Sequence, residues 1–227
     1  MTSVLQLIGS LAAAGTMLVS APLEKAAPQS VAGNLMLGNR QWLISEHYVP
    51  EIRYAKVSGQ VRGLQPEVAT ALEEMFAACK KEAKVTLTSV SGYRSYDKQV
   101  IIYNRKLKNV RGNVAKADEY VARPGASEHQ TGLTMDIGQV SKETSNLGAS
   151  FAKTAGGRWI RENSWRFGFV LRYDQGWEEI TGYEYEPWHI RYVGVEYAKQ
   201  IHEQNVPLET FLLALREATM LEIVTGE

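Results

Sequence analysis

Cysteine is nearly missing from this chain: its 227 residues include one, Cys79. A lone thiol cannot close an internal disulfide, so the fold must rest on its core and on any metal it holds. Cys79 falls in the segment Pro66–Ala83, where Val68, Leu72, Met75, Phe76 and Cys79 recur at helical spacing. It reads there as a small buried apolar side chain. An excess of either charge is missing too: Lys plus Arg and Asp plus Glu number 25 each. That balance argues against a basic surface for nucleic acid and against a strongly acidic one. With 44% hydrophobic and 22% charged residues the composition is ordinary for a globular protein, long enough for one compact domain or at most two small ones.

Charge is wholly lacking before Glu24. Leu11–Val19 has the length and polarity of a signal-peptide core, and Val19-Ser20-Ala21 offers the small residues of a cleavage site. The leading residues lack Lys and Arg, which leaves open an uncleaved anchor over Val4–Ala21 or a buried helix of a cytosolic domain. Export, to the cell envelope or beyond it, is the expectation. Pro22–Asn34 is rich in Ala, Pro, Ser and Gly and reads as a linker. Residues 1–34 are thus expected to be leader or anchor plus linker, and residues 35–227 the folded domain.

Periodicity predicts a helix over Pro66–Ala83, a strand over Val85–Val90, and a helix from the N-cap Ser95 to Leu107. Another helix is predicted over Val114–Val121, broken by Pro124-Gly125, then a strand over Leu133–Ile137. Phe151–Phe167 has helical period weakened by Gly156-Gly157 and ends at Gly168. Phe169–Tyr173 and His189–Val193 read as strands, and helices over Glu196–Gln204 and Pro207–Leu221 close the chain. Strand and helix do not alternate regularly, which argues against a doubly wound sheet. The fold class expected is α+β, helices packed about a small, mainly antiparallel sheet.

Three short segments carry the chemistry: SGYRS with Arg94, SEHQTGLTMD with His129 and Asp136, and EPWH with Glu186 and His189. Two imidazoles and a carboxylate are the ligand set of a catalytic zinc that keeps one position for water. Glu186 is placed to take that water's proton and Arg94 to steady an oxyanion. Gly132 with Thr131 and Thr134 disfavours a helix between His129 and Asp136, so a turn leading into a strand is predicted. Pro187 holds Glu186 extended, which separates this pattern from the helical His-Glu-x-x-His arrangement. Asp136 between Met135 and Ile137 would be costly in an apolar strand unless paired or metal-bound. His47 and His202 have no acidic partner at a telling spacing, and His202 suits a solvated helix face. A serine hydrolase using Ser127 and His129 remains a second reading of the same residues.

These motifs resemble the VanY family of D-alanyl-D-alanine carboxypeptidases and their sister L,D-carboxypeptidases, which trim bacterial peptidoglycan stem peptides. The shared pattern is Ser-x-His-x-x-Gly-x-x-x-Asp followed by Glu-Pro-Trp-His. It stands here at Ser127 to Asp136 and Glu186 to His189, with SGYRSYDKQ at Ser91–Gln99 matching as well. The resemblance runs from about Leu35 to Tyr197 and implies a zinc D,D-peptidase-like fold. It implies zinc on His129, Asp136 and His189, with Glu186 as base and Arg94 on the scissile carbonyl. Ser127, Gln99 and Tyr173 would hold the C-terminal residue of a stem-peptide substrate, although Tyr173 also suits a strand core and Arg94 a surface ion pair. Thr134 stands where the family often has a small residue. The activity implied is removal of the terminal D-alanine, with an L,D-carboxypeptidase, a D-Ala-D-Ala dipeptidase or a non-catalytic wall-binding module as alternatives.

Overall fold

A computed structural model describes residues 33–140 and 147–225. The expected leader or anchor and most of the linker fall in residues 1–32, outside the described residues. Among those described, no helix is long and apolar enough to cross a membrane. After a short turn at Gly33–Leu35, the strands Arg53–Tyr54 (β1) and Gly63–Leu64 (β2) pair antiparallel. Helix Pro66–Ala83 (α1) then leads to strand Leu87–Ser91 (β3) and helices Tyr96–Asn109 (α2) and Val114–Asp118 (α3). Strand Thr134–Gln139 (β4), helix Ala155–Asn163 (α4) and strand Phe169–Leu171 (β5) follow. A short helix Glu178–Thr181 (α5), strand His189–Tyr192 (β6) and helices Val195–Gln204 (α6) and Leu208–Thr225 (α7) complete the chain. The main sheet has the order β3-β4-β6-β5, antiparallel throughout, so the architecture is the expected α+β.

Strand alternation divides the sheet into two unlike faces. Leu87, Met135, Ile137, Phe169, Ile190 and Tyr192 join an apolar core with Val68, Leu72, Met75 and Phe76 of α1 and Trp159 and Ile160 of α4. Cys79 belongs to this core, and burial pushes its thiol up to about 11. The intervening residues, Thr134, Asp136, His189 and Arg191, point to the other face, and the paired register sets Asp136 beside His189. A second apolar cluster on that side joins Leu35, Leu37, Val170 and Val193 to α6 and α7.

Local chemistry fixes the helix ends. Pro66 occupies the first turn of α1, where its missing N–H costs nothing, and the Ser95 side chain accepts from Lys98 N to cap α2. Two predicted helices are shorter than their pattern. The segment Val114–Val121 is helical only to Asp118, whose carboxylate instead takes Tyr103 Oη at 2.7 Å and Arg123 Nη2 at 2.6 Å. Phe151–Phe167 divides into a 3-10 turn at Ala149–Lys153, helix α4 and a second 3-10 turn at Ser164–Phe167. Thr154 caps α4 by accepting from Gly157 N at 2.9 Å. A Cβ at Gly157 would lie 2.0 Å from Phe151 O, so glycine here lets the preceding turn fold back onto the helix. β5 also stops at Leu171, two residues early, where the chain bends through Arg172 and Tyr173.

Candidate metal centre and catalytic groups

The three expected ligands come from separate elements and meet at the end of the sheet. His129 rides on a 3-10 turn, Glu128–Thr131, which closes on Gly132 at φ +70°, a left-handed conformation that favours glycine. Asp136 lies in β4, and His189 opens β6 directly opposite it. Their candidate donor atoms all lie within 4.8 Å of one another and all three residues are buried. His129 Nε2 is 3.3 Å from Asp136 Oδ2, and His189 Nδ1 is 3.1 Å from Asp136 Oδ1.

The surroundings set which imidazole nitrogens face the centre. His129 Nδ1 donates to Gly92 O at 2.8 Å, which fixes the tautomer and turns the Nε2 lone pair inward. Arg94 N returns a bond to His129 O at 3.1 Å, so the two motifs clamp each other through backbone. A Cβ at Gly92 would sit 2.5 Å from Gly63 O, and only glycine allows this close packing. Burial opposes ionisation of Asp136, but the two imidazoles outweigh it and hold its carboxyl well below the usual range. Burial, with Arg94 nearby, keeps His129 below its ordinary value and hence neutral, the form that ligates. For His189 burial works against protonation, yet Asp136 and Glu186 prevail and raise its pKa, a field that equally favours a cation. Asp136 Oδ1 is buried and, although 3.1 Å from His189 Nδ1, makes no well-directed hydrogen bond among the described residues, leaving an acceptor that a metal ion would satisfy.

Glu186 and Arg94 border this cluster. Glu186 Oε2 is 3.5 Å from His189 Nδ1, and its side chain retains 27% exposure. Its N–H donates to Tyr173 O at 2.9 Å, while its carbonyl accepts from His189 N at 3.0 Å. Burial, aided by repulsion from Asp136, pushes its carboxyl up to about 7. A divalent cation beside it would pull that value back down. Arg94 is not on the open surface. Its Nη1 donates to Gln99 Oε1 at 2.8 Å and its Nη2 to Ser91 Oγ at 3.1 Å, in the combined field of Asp136 and Glu186.

The three residues assigned to substrate divide into two situations. Tyr173 is 4% exposed, with its ring 4.7 Å from that of His189 and 4.9 Å from that of Tyr183. Burial drives its phenol well above the usual value, so it stays a neutral donor. Ser127 precedes the His129 turn and is 5% exposed, next to Ala126, whose carbonyl accepts from Tyr183 Oη at 3.1 Å. Gln99 lies behind Arg94. It is 1% exposed, its Oε1 takes the arginine and its Nε2 donates to Ala122 O at 2.6 Å. Both ends of its amide are thus engaged, one by Arg94 and the other by Ala122.

Sequence reasoning missed the layer beneath the ligands. Glu128 accepts from Arg172 Nε at 2.9 Å and Arg191 Nη1 at 2.8 Å, all three side chains being 0% exposed. The signal was present: Arg172 and Arg191 stand in runs predicted as strands among mostly apolar and aromatic residues, and Glu128 lies inside the His129 motif. Arg40, whose guanidinium lies 4.9 Å over the Tyr183 ring, gave no such signal.

A small α+β domain that buries a His–Asp–His set beside a carboxylate and an arginine is the framework of a metal hydrolase. The chain belongs to the VanY family, described as D-alanyl-D-alanine carboxypeptidase, whose model matches residues 61–195. That match begins later than the resemblance, which starts at about Leu35. YodJ of Bacillus subtilis (strain 168) is 42% identical over 184 residues, covering 78% of this chain and 66% of that protein. A D-alanyl-D-alanine carboxypeptidase of Enterococcus faecalis (strain ATCC 700802 / V583) is 35% identical over 186 residues, covering 79% and 65%. The chain thus spans slightly under two thirds of the length of these curated relatives. Among solved structures, an LdcB LD-carboxypeptidase is similar at TM-score 0.74 and 42% identity, covering 80% of this chain and 86% of the other. A mutant VanY D,D-pentapeptidase solved with Zn(II) is similar at TM-score 0.66 and 35% identity, covering 79% and 98%.

Proposed function

We propose that this chain is a zinc-dependent carboxypeptidase that removes the terminal D-alanine from peptidoglycan stem peptides. The observation that carries the reading is the convergence of His129, Asp136 and His189 donors within 4.8 Å, with Glu186 3.5 Å from one of them. The donor set, two imidazoles and one ionised carboxylate, suits zinc, as does membership of a family with a Zn(II)-bound member. Bound zinc supplies Lewis acidity at the scissile carbonyl and to water.

The remaining chemistry falls to the chain's own side chains. The Glu186 carboxylate takes a proton from the attacking water and hands it to the leaving amine nitrogen. Burial and the Asp136 charge raise its proton affinity, which suits an acceptor, while a cation bound beside it would lower that affinity again and ease donation. Arg94, held in orientation by Gln99 and Ser91, presents N–H groups to the carbonyl oxygen as negative charge gathers there. Ser127 and the neutral phenol of Tyr173 offer donors to the free carboxylate of the departing residue. The substrate is outside the cytoplasm, so the reading includes an exported or envelope-bound location.

Incubating the full chain with synthetic L-Ala-D-Glu-L-Lys-D-Ala-D-Ala and its tetrapeptide, and weighing the products, tests this. Loss of a single alanine from the pentapeptide supports the D,D-carboxypeptidase. Cleavage of the tetrapeptide alone shifts the assignment to an L,D-carboxypeptidase, release of D-Ala-D-Ala to a pentapeptide-cleaving enzyme of another bond, and hydrolysis of free D-Ala-D-Ala to a dipeptidase. Activity that survives a chelator would favour a serine hydrolase built on Ser127 and His129. No turnover with zinc bound would leave a wall-binding module.

A further inference from the structure

Beside the candidate metal ligands lies a buried ion network that the proposed chemistry does not use. Glu209, in the first turn of α7, accepts from Arg172 Nη1 at 2.8 Å and also from Arg172 Nη2. Asn39 Nδ2 adds a third bond to it at 3.1 Å. Arg172 reaches on through Nε to Glu128 Oε1, which Arg191 shares, and Arg191 ties down the carbonyls of Asn34 and Met36. Two carboxylates and two guanidiniums make the quartet neutral.

Arg172 touches both histidine-bearing segments. Its side chain holds Glu128, the neighbour of His129. Its backbone N–H donates to His189 O at 3.2 Å, and its guanidinium lies 4.9 Å over the Tyr173 ring that packs against His189. Glu209 lies outside residues 61–195, the part that matches the family.

We propose that Glu209 is a positioning residue of the metal centre, acting through Arg172 on the turn that carries His129 and the strand that carries His189. The proposal rests on the ligand assignment above. Without the Glu209 carboxylate, the two terminal nitrogens of a fully buried guanidinium lose their partners and the quartet gains a net positive charge. Arg172 must then shift toward other acceptors, which drags on Glu128, while the uncompensated charge opposes a cation nearby. Partners of this outer layer typically change metal affinity about 10–100-fold when removed.

The test is zinc affinity of the full chain, measured by competition with a chromophoric chelator, together with kcat, KM and thermal melting. Glu209→Gln is expected to weaken zinc binding about 10-fold and to lower kcat at saturating zinc more than it raises KM. Phe211→Leu loosens the docking of the same helix at a 0% exposed apolar position and is expected to lower the melting temperature with zinc affinity unchanged. A folded Glu209→Gln that binds zinc within about two-fold of wild type overturns the proposal, as does an equal loss in Phe211→Leu. Should Glu209→Gln not fold, Glu209→Asp, which keeps the charge with a shorter reach, must still weaken zinc measurably, and unchanged affinity there overturns the proposal. A wild-type chain that binds no zinc would instead refute the ligand assignment itself.

Discussion

Glu186→Gln isolates the proton-transfer step, because glutamine keeps the shape of the side chain and removes its basicity. The backbone that aims this residue, bonded to Tyr173 O and His189 N and stiffened by Pro187, is untouched. Among the described residues, neither neighbouring carboxylate offers a substitute. Asp136 is taken up as a ligand on the proposed reading, and Glu128 is fully buried with Oε1 shared between Arg172 and Arg191. Loss of a general base costs about 10²–10⁴ in rate, equivalent to about 3–5 kcal/mol of barrier, and the lack of a substitute places this variant toward the upper end. The three-donor set remains, so zinc content should stay near one ion per chain and KM should change little. Product release from a synthetic pentapeptide gives kcat, and metal analysis of the same sample gives occupancy. A zinc-loaded Glu186→Gln enzyme within about three-fold of wild-type kcat would refute Glu186 as the base.

Other perturbations probe the same structure. Exhaustive chelation should abolish hydrolysis, with recovery on adding zinc. Where zinc had stood at about 100 times its Kd, chelation should also lower the melting temperature by about 5–10 °C, readable by calorimetry. The Arg123 bonds hold Asp118 below its ordinary 3.8, so the folded state binds its proton less readily than the unfolded state does. Its contribution to stability is present above that pH and lost as the pH falls through and below it. Asp118→Asn should therefore flatten the acid limb of a stability–pH curve, and an unaltered limb would count against the ion pair. Thr134 is 0% exposed and its Oγ1 has no hydrogen-bond partner among the described residues, so Thr134→Val should raise stability by about 1 kcal/mol in urea titrations. Gly157→Ala drives a methyl to 2.0 Å from Phe151 O and should cost about 1–3 kcal/mol in the same measurement.

Much of the framework was legible because its signals are local. Pro66 and the Ser95 cap mark their helix starts whatever surrounds them, and both helices begin where the pattern puts them. The apolar stripe from Val68 to Cys79 likewise needs no partner to be recognised. Features set by tertiary contacts were not legible. The division of 149–167 depends on where Phe151 O lies relative to Gly157, and the early end of α3 on the capture of Asp118 by Tyr103 and Arg123. At the site, the motifs named the residues that converge, yet not their order in depth. Gln99 looks like any polar residue of a first helical turn, and its place behind Arg94 follows from Ala122 O, 23 positions away in sequence. Arg172 and Arg191 were visible as charges within runs predicted as strands, but the carboxylates that neutralise them come from a turn and from the C-terminal helix.

The antiparallel register explains why so compact a centre can be built from distant segments. Side chains along a strand alternate between faces, so shifting β6 by one residue against β4 would send His189 into the apolar core and bring Ile190 to the site. That slip would bury an imidazole against α1 while exposing an isoleucine, and would also turn Arg191 away from Glu128. The apolar pattern Met135, Ile137, Ile190, Tyr192 and the polar pattern Asp136, His189, Arg191 therefore enforce the same alignment from opposite faces. Hydrophobic burial thus holds Asp136 opposite His189 with or without a cation, and on the proposed reading the metal serves the chemistry more than the fold. Chelated protein should accordingly keep its far-UV circular dichroism spectrum while losing turnover. Collapse of the sheet on metal removal would show that the site, and not the core, sets the register.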